Sequence, residues 1–157
     1  MSITKHIKFM NPALEEAKKA GQKDEVPIGA LIVSEKGKIL SSTHNQVIGL
    51  CDPTAHAELI AIRQAASKIK NYRLLNTTLY VTVEPCIMCM GAIIHARIST
   101  VVFGAFDTKW GGAGSLYNLA SDSRFNHLPE IIPGVIEDQC RELIQNFFRS
   151  KRKPVHP

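Results

Sequence analysis

Apolar residues recur along this chain first at helical and then at alternating spacing, and each change of period marks out an element. Asn11-Pro12 predicts an N-cap and a first helical residue, after which Leu14, Ala17 and Ala20 hold one apolar face as far as Gly21. Residues before Asn11 could add a turn, but a proline at 12 would kink a longer helix. Val26–Val33 and Lys38–Thr43 are apolar or β-leaning runs parted by Ser34-Glu35-Lys36-Gly37, which predicts a hairpin. Asp52-Pro53 offers a carboxylate cap and a proline for the start of a helix, continued by Ala57, Ile60, Ala61, Gln64 and Ala65. Thr78–Val83 alternates and is rich in β-branched residues, the pattern of a strand. Glu84-Pro85 predicts a further helix to about Arg97, and Ser99–Gly104 another strand leading into a glycine-rich loop, Ala105–Ser115. Glu130–Ile136 is a last short strand in which Pro133 demands an edge or a break. Asp138–Arg149 closes the pattern as a helix with Cys140, Leu143, Ile144 and Phe147 on one face.

Helices alternating with about five strands predict the α/β class, a central sheet covered by helices. No repeat, low-complexity stretch or linker interrupts the 157 residues, so one domain is expected over 1–150, with 151–157 as a basic, disordered tail. A hydrophobic content of 45% and a charged content of 21% are those of an ordinary soluble domain. No apolar run approaches the roughly 20 residues that cross a bilayer. The opening Met1–His6 leads into no apolar signal core, so a cytoplasmic protein is the expectation. The formal net charge of +5 favours a polyanionic partner, and Arg149, Lys151, Arg152 and Lys153 concentrate that charge directly after Phe147-Phe148.

The chemistry lies in two short stretches, His56-Ala57-Glu58 and Pro85-Cys86-Ile87-Met88-Cys89. Zinc in hydrolytic sites takes three protein ligands and keeps a fourth position for water. His56, Cys86 and Cys89 can supply the three, leaving Glu58 free to move protons. Thiolates bind metal, and the positive end of a helix favours that form. A three-residue separation lets both sulfurs reach one ion from neighbouring parts of a helix face, whereas Glu58, two residues from His56, stands off the ligand face. Other readings stay open on the residues alone: a structural zinc site with Cys51 as fourth ligand, a redox C-x-x-C, or buried cysteines beside a paired histidine. Cys140 is expected to serve as a small helix hydrophobe.

The pattern H-x-E…P-C-x-x-C resembles the signature of zinc-dependent nucleobase deaminases. More closely, Asp52-Pro53-Thr54-Ala55-His56-Ala57-Glu58 and Glu84-Pro85-Cys86-Ile87-Met88-Cys89-Met90-Gly91-Ala92 resemble the two motifs of the bacterial TadA-type tRNA adenosine deaminases. Phe103-Gly104-Ala105-x-Asp107-x-Lys109, Gly114-Ser115, Asn126-His127 and Phe147-Phe148-Arg149 extend the likeness over almost the whole chain. The resemblance implies a cytidine-deaminase-like fold, a three-layer α/β/α sandwich around a mixed five-stranded sheet. It also implies one zinc ion per subunit, a homodimer, and hydrolysis of adenosine to inosine at the wobble position (34) of a tRNA anticodon. A deaminase of free bases or nucleosides, of guanine or cytosine type, is the competing expectation.

By the same resemblance Glu58 is catalytic and Asn45 hydrogen-bonds the target nucleoside. Val26, Pro27 and Ile28 form an apolar wall, and Ala57 offers its backbone N–H to the base. Asp107 contacts the ribose or backbone beside the target, where a 2′-hydroxyl can donate to a carboxylate. Lys109, Asn126, His127 and Arg149 are contacts to flanking nucleotides. Phe106 and Trp110 beside them are expected to stack on bases or pack against a subunit partner.

Overall fold

The computed structural model describes residues 2–152. Helix α1 (Ile3–Gln22) leads to a hairpin of β1 (Gly29–Val33) and β2 (Ile39–His44), then α2 (Ala57–Ile69), β3 (Thr78–Val83), α3 (Ile87–His95) and β4 (Thr100–Ala105). A 3-10 turn (Leu119–Ser121), β5 (Glu130–Ile132) and α4 (Glu137–Lys151) complete the chain. The five strands form one sheet in the order β2-β1-β3-β4-β5. β1 is antiparallel to both β2 and β3, while β3, β4 and β5 run parallel, so the sheet is mixed.

Strand alternation sorts the core into two layers. Ala30, Ile32, Leu79, Val81, Val101 and Phe103 point towards α2 and α3, meeting Ala57, Ala61, Met90 and Ile93. Leu31, Val33, Tyr80 and Val102 point the other way, against Phe9, Met10, Ala13 and Leu14 of α1 and Cys140 of α4. The result is the three-layer α/β/α sandwich that the resemblance implied. No helix among the described residues is long and apolar enough to cross a membrane.

Strand β3 matches its sequence expectation, and the hairpin turn closes by Ser34 N–H donating to Lys38 O at 2.8 Å. Several boundaries differ, each for a physical reason. Helix α1 starts at Ile3 and runs through Pro12. Its buried stripe continues upstream through His6, Phe9 and Met10, and this burial offsets the roughly 3 kcal/mol that an interior proline costs. His6 Nδ1 lies 3.0 Å from the Tyr80 hydroxyl, which pins that first turn to the sheet. Asp52-Pro53 does not open α2: the Asp52 carboxylate accepts from Thr54 N–H at 2.8 Å and Thr54 Oγ1 at 2.7 Å, making a local turn instead. The helix begins five residues after Asp52, with His56 at its N-cap position.

Likewise α3 begins at Ile87 with Cys86 at its N-cap, and ends at His95 rather than Arg97, which takes a left-handed conformation (φ 63°). Strand β5 stops at Ile132, before Pro133, whose ring nitrogen has no hydrogen to give a ladder. Helix α4 carries past the expected boundary at 150: Lys151 is its last residue, and its Nζ pairs with Asp24 at 2.9 Å. The expected boundary between domain and tail thus falls inside α4, and 153–157 lie outside the described residues.

Candidate active site

Two helix starts meet here. Strand β3 delivers Pro85-Cys86 into α3, and the loop after β2 delivers His56 into α2, so that the N-caps of both helices face one another. His56 Nδ1 lies 3.6 Å from Cys86 Sγ and 3.5 Å from Cys89 Sγ. All three donor atoms fall within 4.8 Å of one another. Zn–S bonds of about 2.3 Å and Zn–N bonds of about 2.0–2.1 Å at a tetrahedral angle place nitrogen and sulfur about 3.6 Å apart. The spacing and the donor chemistry, two sulfurs and an imidazole, both fit zinc. Cys51 is exposed and outside this group, so among the described residues it supplies no fourth sulfur.

The electrostatics suit ligation. The Cys86 thiol is pulled down to about 4, chiefly by the hydrogen bond from Cys89 and further by His56, so Cys86 is a thiolate. Cys89 is pushed in the opposite direction by the same neighbour and by burial. His56 is raised, because the Cys86 sulfur stabilises its protonated form. A metal cation would replace those shared protons.

Glu58 sits in the first turn of α2, 3% exposed and outside the donor group. Burial lifts its carboxyl to about 7, against the opposing pull of its backbone hydrogen bond and of His56. Its Oε1 is buried without a hydrogen-bond partner in the chain. Buried acceptors are nearly always satisfied, so an unpaired one beside three metal donors fits a site that receives a bound group. A carboxyl titrating near neutrality can both accept and return a proton.

Around this centre the chain gathers some of the expected residues and rearranges others. Asn45 is adjacent, but its Oδ1 accepts from Ala57 N–H at 2.7 Å. The N–H expected to meet the base is thus given to Asn45 in this structure, which leaves Asn45 its Nδ2 amide to offer. Thr43 Oγ1 donates to Ala57 O at 2.8 Å, fixing the same turn from the other side. Val26, Pro27 and Ile28 precede β1 rather than belonging to it: Ile28 N–H turns back to Val26 O at 2.8 Å, and Ile28 O accepts from Asn45 N–H at 3.1 Å. Ile28 thus lies next to Asn45, with Pro27 buried beneath.

Asp107 and Lys109 stand in a loop tied to the start of α3 by a bridge between Cys86 and Gly111. Asp107 Oδ1 accepts from the N–H groups of Lys109 (3.0 Å) and Trp110 (3.1 Å), so one of its oxygens shapes the turn and the other stays available. Phe106 and Trp110 are exposed, with Phe106 edge-on to Phe103 at 5.2 Å between centroids. Asn126 lines a cavity of about 210 Å³ along α3 with Gly91, Ile94, His95, Arg97 and Phe125. His127 Nε2 lies 2.7 Å from Ile98 O. Arg149 is on α4, on the opposite face of the sheet from α2, where its guanidinium donates to Asn146 at 3.0 Å.

Two carboxylates organise the site in ways that the sequence reading did not assign to them. Glu25 accepts from Ile48 N–H (3.1 Å) and Gly49 N–H (2.8 Å), holding the loop between Asn45 and His56. Glu84, expected only to announce a helix, instead reaches the loop that bears Asp107.

The "cytidine and deoxycytidylate deaminase zinc-binding region" family model matches residues 3–105. A tRNA-specific adenosine deaminase from Haemophilus influenzae is 47% identical over 146 residues, covering 93% of this chain and 84% of that protein. A structure described as a study of A-to-I editing by tRNA:A34 deaminases at the wobble position superposes with a TM-score of 0.84 at 41% identity, covering 87% of this chain and 98% of that one. A guanine deaminase from Bacillus subtilis superposes with a TM-score of 0.62 at 38% identity, over 69% of each chain. The family model spans the donor cluster and the buried carboxyl, and the chain belongs to the zinc-binding cytidine and deoxycytidylate deaminase family, in its tRNA-specific adenosine deaminase branch.

Proposed function

We propose that this protein hydrolyses adenosine 34 of tRNA to inosine, releasing ammonia, and that Glu58 is the proton carrier of that reaction. The observation that carries the chemistry is the buried Glu58 carboxyl, one oxygen of which has no partner in the chain, beside the three donors and lifted to about 7. His56, Cys86 and Cys89 would hold the zinc ion, one per subunit; when bound, such an ion supplies Lewis acidity that can lower the pKa of a water from about 15.7 towards 7.

The chain's own residues supply the rest. Glu58 accepts the proton given up as water adds to C6 of adenine and passes it to the ring nitrogen N1. It then takes the proton of the new C6 hydroxyl and gives it to the amine, so that the C6–N bond breaks, ammonia leaves and the C6 carbonyl of inosine forms. Such general acid–base transfer contributes about 10²- to 10⁴-fold in rate. Asn45, held by Ala57 N–H, presents its Nδ2 donor to an acceptor on the purine. Ile28 and its neighbours Val26 and Pro27 supply the apolar wall. The free oxygen of Asp107 meets a 2′-hydroxyl, and Lys109 meets a phosphate. Asn126, His127 and Arg149 contact nucleotides farther along. An anticodon loop suits this site because its bases are already unpaired, which lowers the cost of taking one out of the stack.

We read the protein as a homodimer, for whose seam exposed apolar side chains such as Tyr72, Leu75, Leu116 and Phe125 are available. We place the enzyme in the cytoplasm with its RNA. Incubating the zinc-loaded protein with an anticodon stem-loop bearing adenosine 34, beside free adenosine, cytidine and guanine, tests the reading. Inosine in the stem-loop is expected; conversion of guanine alone would turn the assignment to the free-base class that the B. subtilis likeness represents.

A further inference from the structure

We propose that Glu84 is a positioning residue for the RNA substrate: its carboxylate fixes the 105–115 loop against the start of α3. In doing so it sets where Phe106, Asp107, Lys109 and Trp110 stand relative to the metal donors. This rests on the reading of that loop as RNA-facing. Glu84 follows β3 directly and precedes Cys86 by two residues, with 3% of its surface exposed. Its Oε1 accepts from Asp107 N–H at 3.1 Å and from the Ser115 hydroxyl. Its Oε2 accepts from the N–H groups of Ala113 and Ser115, both at 3.0 Å. One carboxylate therefore holds both ends of the loop.

Three further contacts make the anchorage rigid. Glu84 N–H donates to Ala105 O at 2.8 Å, Gly112 N–H donates to Pro85 O at 2.8 Å, and Gly111 bridges to Cys86. The fit is close enough that a Cβ on Gly111 would stand 2.4 Å from the Glu84 carboxyl carbon. A buried carboxylate is costly unless its lone pairs are filled, and here four donors fill them, all from one loop. The loop in turn has no other buried charge to organise it. Displacing it would leave Asp107 and the exposed aromatics unplaced, while α2 and α3 stay packed on the sheet through Ala57, Ala61, Met90 and Ile93.

Glu84→Gln and Ser115→Ala test this in the zinc-loaded enzyme, with an adenosine-34 stem-loop as substrate. Gln turns one acceptor into a donor that faces backbone N–H groups; Ala removes only the hydroxyl. We expect Glu84→Gln to keep its zinc and a kcat within about threefold of wild type, while KM rises about tenfold or more. Ser115→Ala should shift KM in the same direction by a smaller factor, and it carries the test alone if Glu84→Gln does not fold. Unchanged KM in either folded variant, or zinc lost in step with activity, overturns the proposal; the latter would make Glu84 a brace for Cys86 instead. Because wild type is assayed alongside, an inert wild type signals failure of the tRNA reading, whereas an active wild type with an equally active variant signals failure of this inference.

Discussion

On the α1 side of the sheet, buried ionisable groups face one another; on the α2–α3 side, they gather around a common point. His6 is paired with Tyr80, and Glu16 lies between His44 at 2.9 Å and Lys19 at 2.7 Å. Those contacts fasten α1 to β2 and β3. Across the sheet, His56, Cys86 and Cys89 converge from two helix starts, and Glu58 keeps an oxygen unpaired next to them. Burial of charge alone therefore does not mark a functional site, since both faces have it. An unpaired buried atom does not mark one either, since His6 Nε2 and His44 Nε2 lack partners as Glu58 Oε1 does; convergence of three metal donors on one point does.

Substitutions on the two faces should separate function from stability. The largest effect is expected for Cys86→Ala, which removes a ligand: zinc content by metal analysis should fall to background and inosine formation should vanish. Glu58→Ala should keep its zinc and lose about 10²- to 10⁴-fold in kcat; release of the metal would make Glu58 a ligand and blur the distinction between donors and carrier. On the opposite face Tyr80→Phe strands the His6 nitrogen, so unfolding by urea should show a loss of about 1–3 kcal/mol with kcat per folded molecule unchanged.

His6 sharpens the same point through pH. Burial lowers its pKa below the ordinary 6.5, so below that value the unfolded chain binds a proton that the folded chain resists. Stability should thus be full above about pH 6.5 and decline as pH falls, and a His6→Phe variant should lose that part of the slope. The smallest effect concerns α4. Neutralising Arg149, Lys151 and Arg152 should leave basal chemistry intact and flatten the salt dependence of RNA binding by at most about 0.7 per lost phosphate contact. Lys151 should contribute least, being paired with Asp24.

Much of this was legible in the residue pattern, and the failures share a cause. The strands appeared because alternation in β3 and the apolar run of β1 directly encode burial on one or both faces. The metal donors appeared because ligand chemistry restricts residue type and spacing. What the pattern misassigned were acidic residues next to prolines. Asp52 and Glu84 both resemble helix caps, yet one closes a turn of its own and the other bonds backbone groups 23–31 residues away. Local sequence cannot tell a near acceptor from a distant one, since the choice depends on where a loop returns. Pro12 misled in the converse way: a local penalty was outweighed by packing from Phe9 and Met10. Asn45 lies beside the donor cluster, but its bond to Ala57 depends on a strand end meeting a helix start, which no local pattern records.

The His56–Cys86 pairing spans 30 residues of chain and joins one layer's two helices at their first turns. An ion seated between them is consequently a cross-link as well as a reagent, and its binding free energy adds to that of folding. Chelation should then loosen the amides at both helix starts before it disturbs the far end of the sheet, so the protein's shelf life becomes a matter of metal supply.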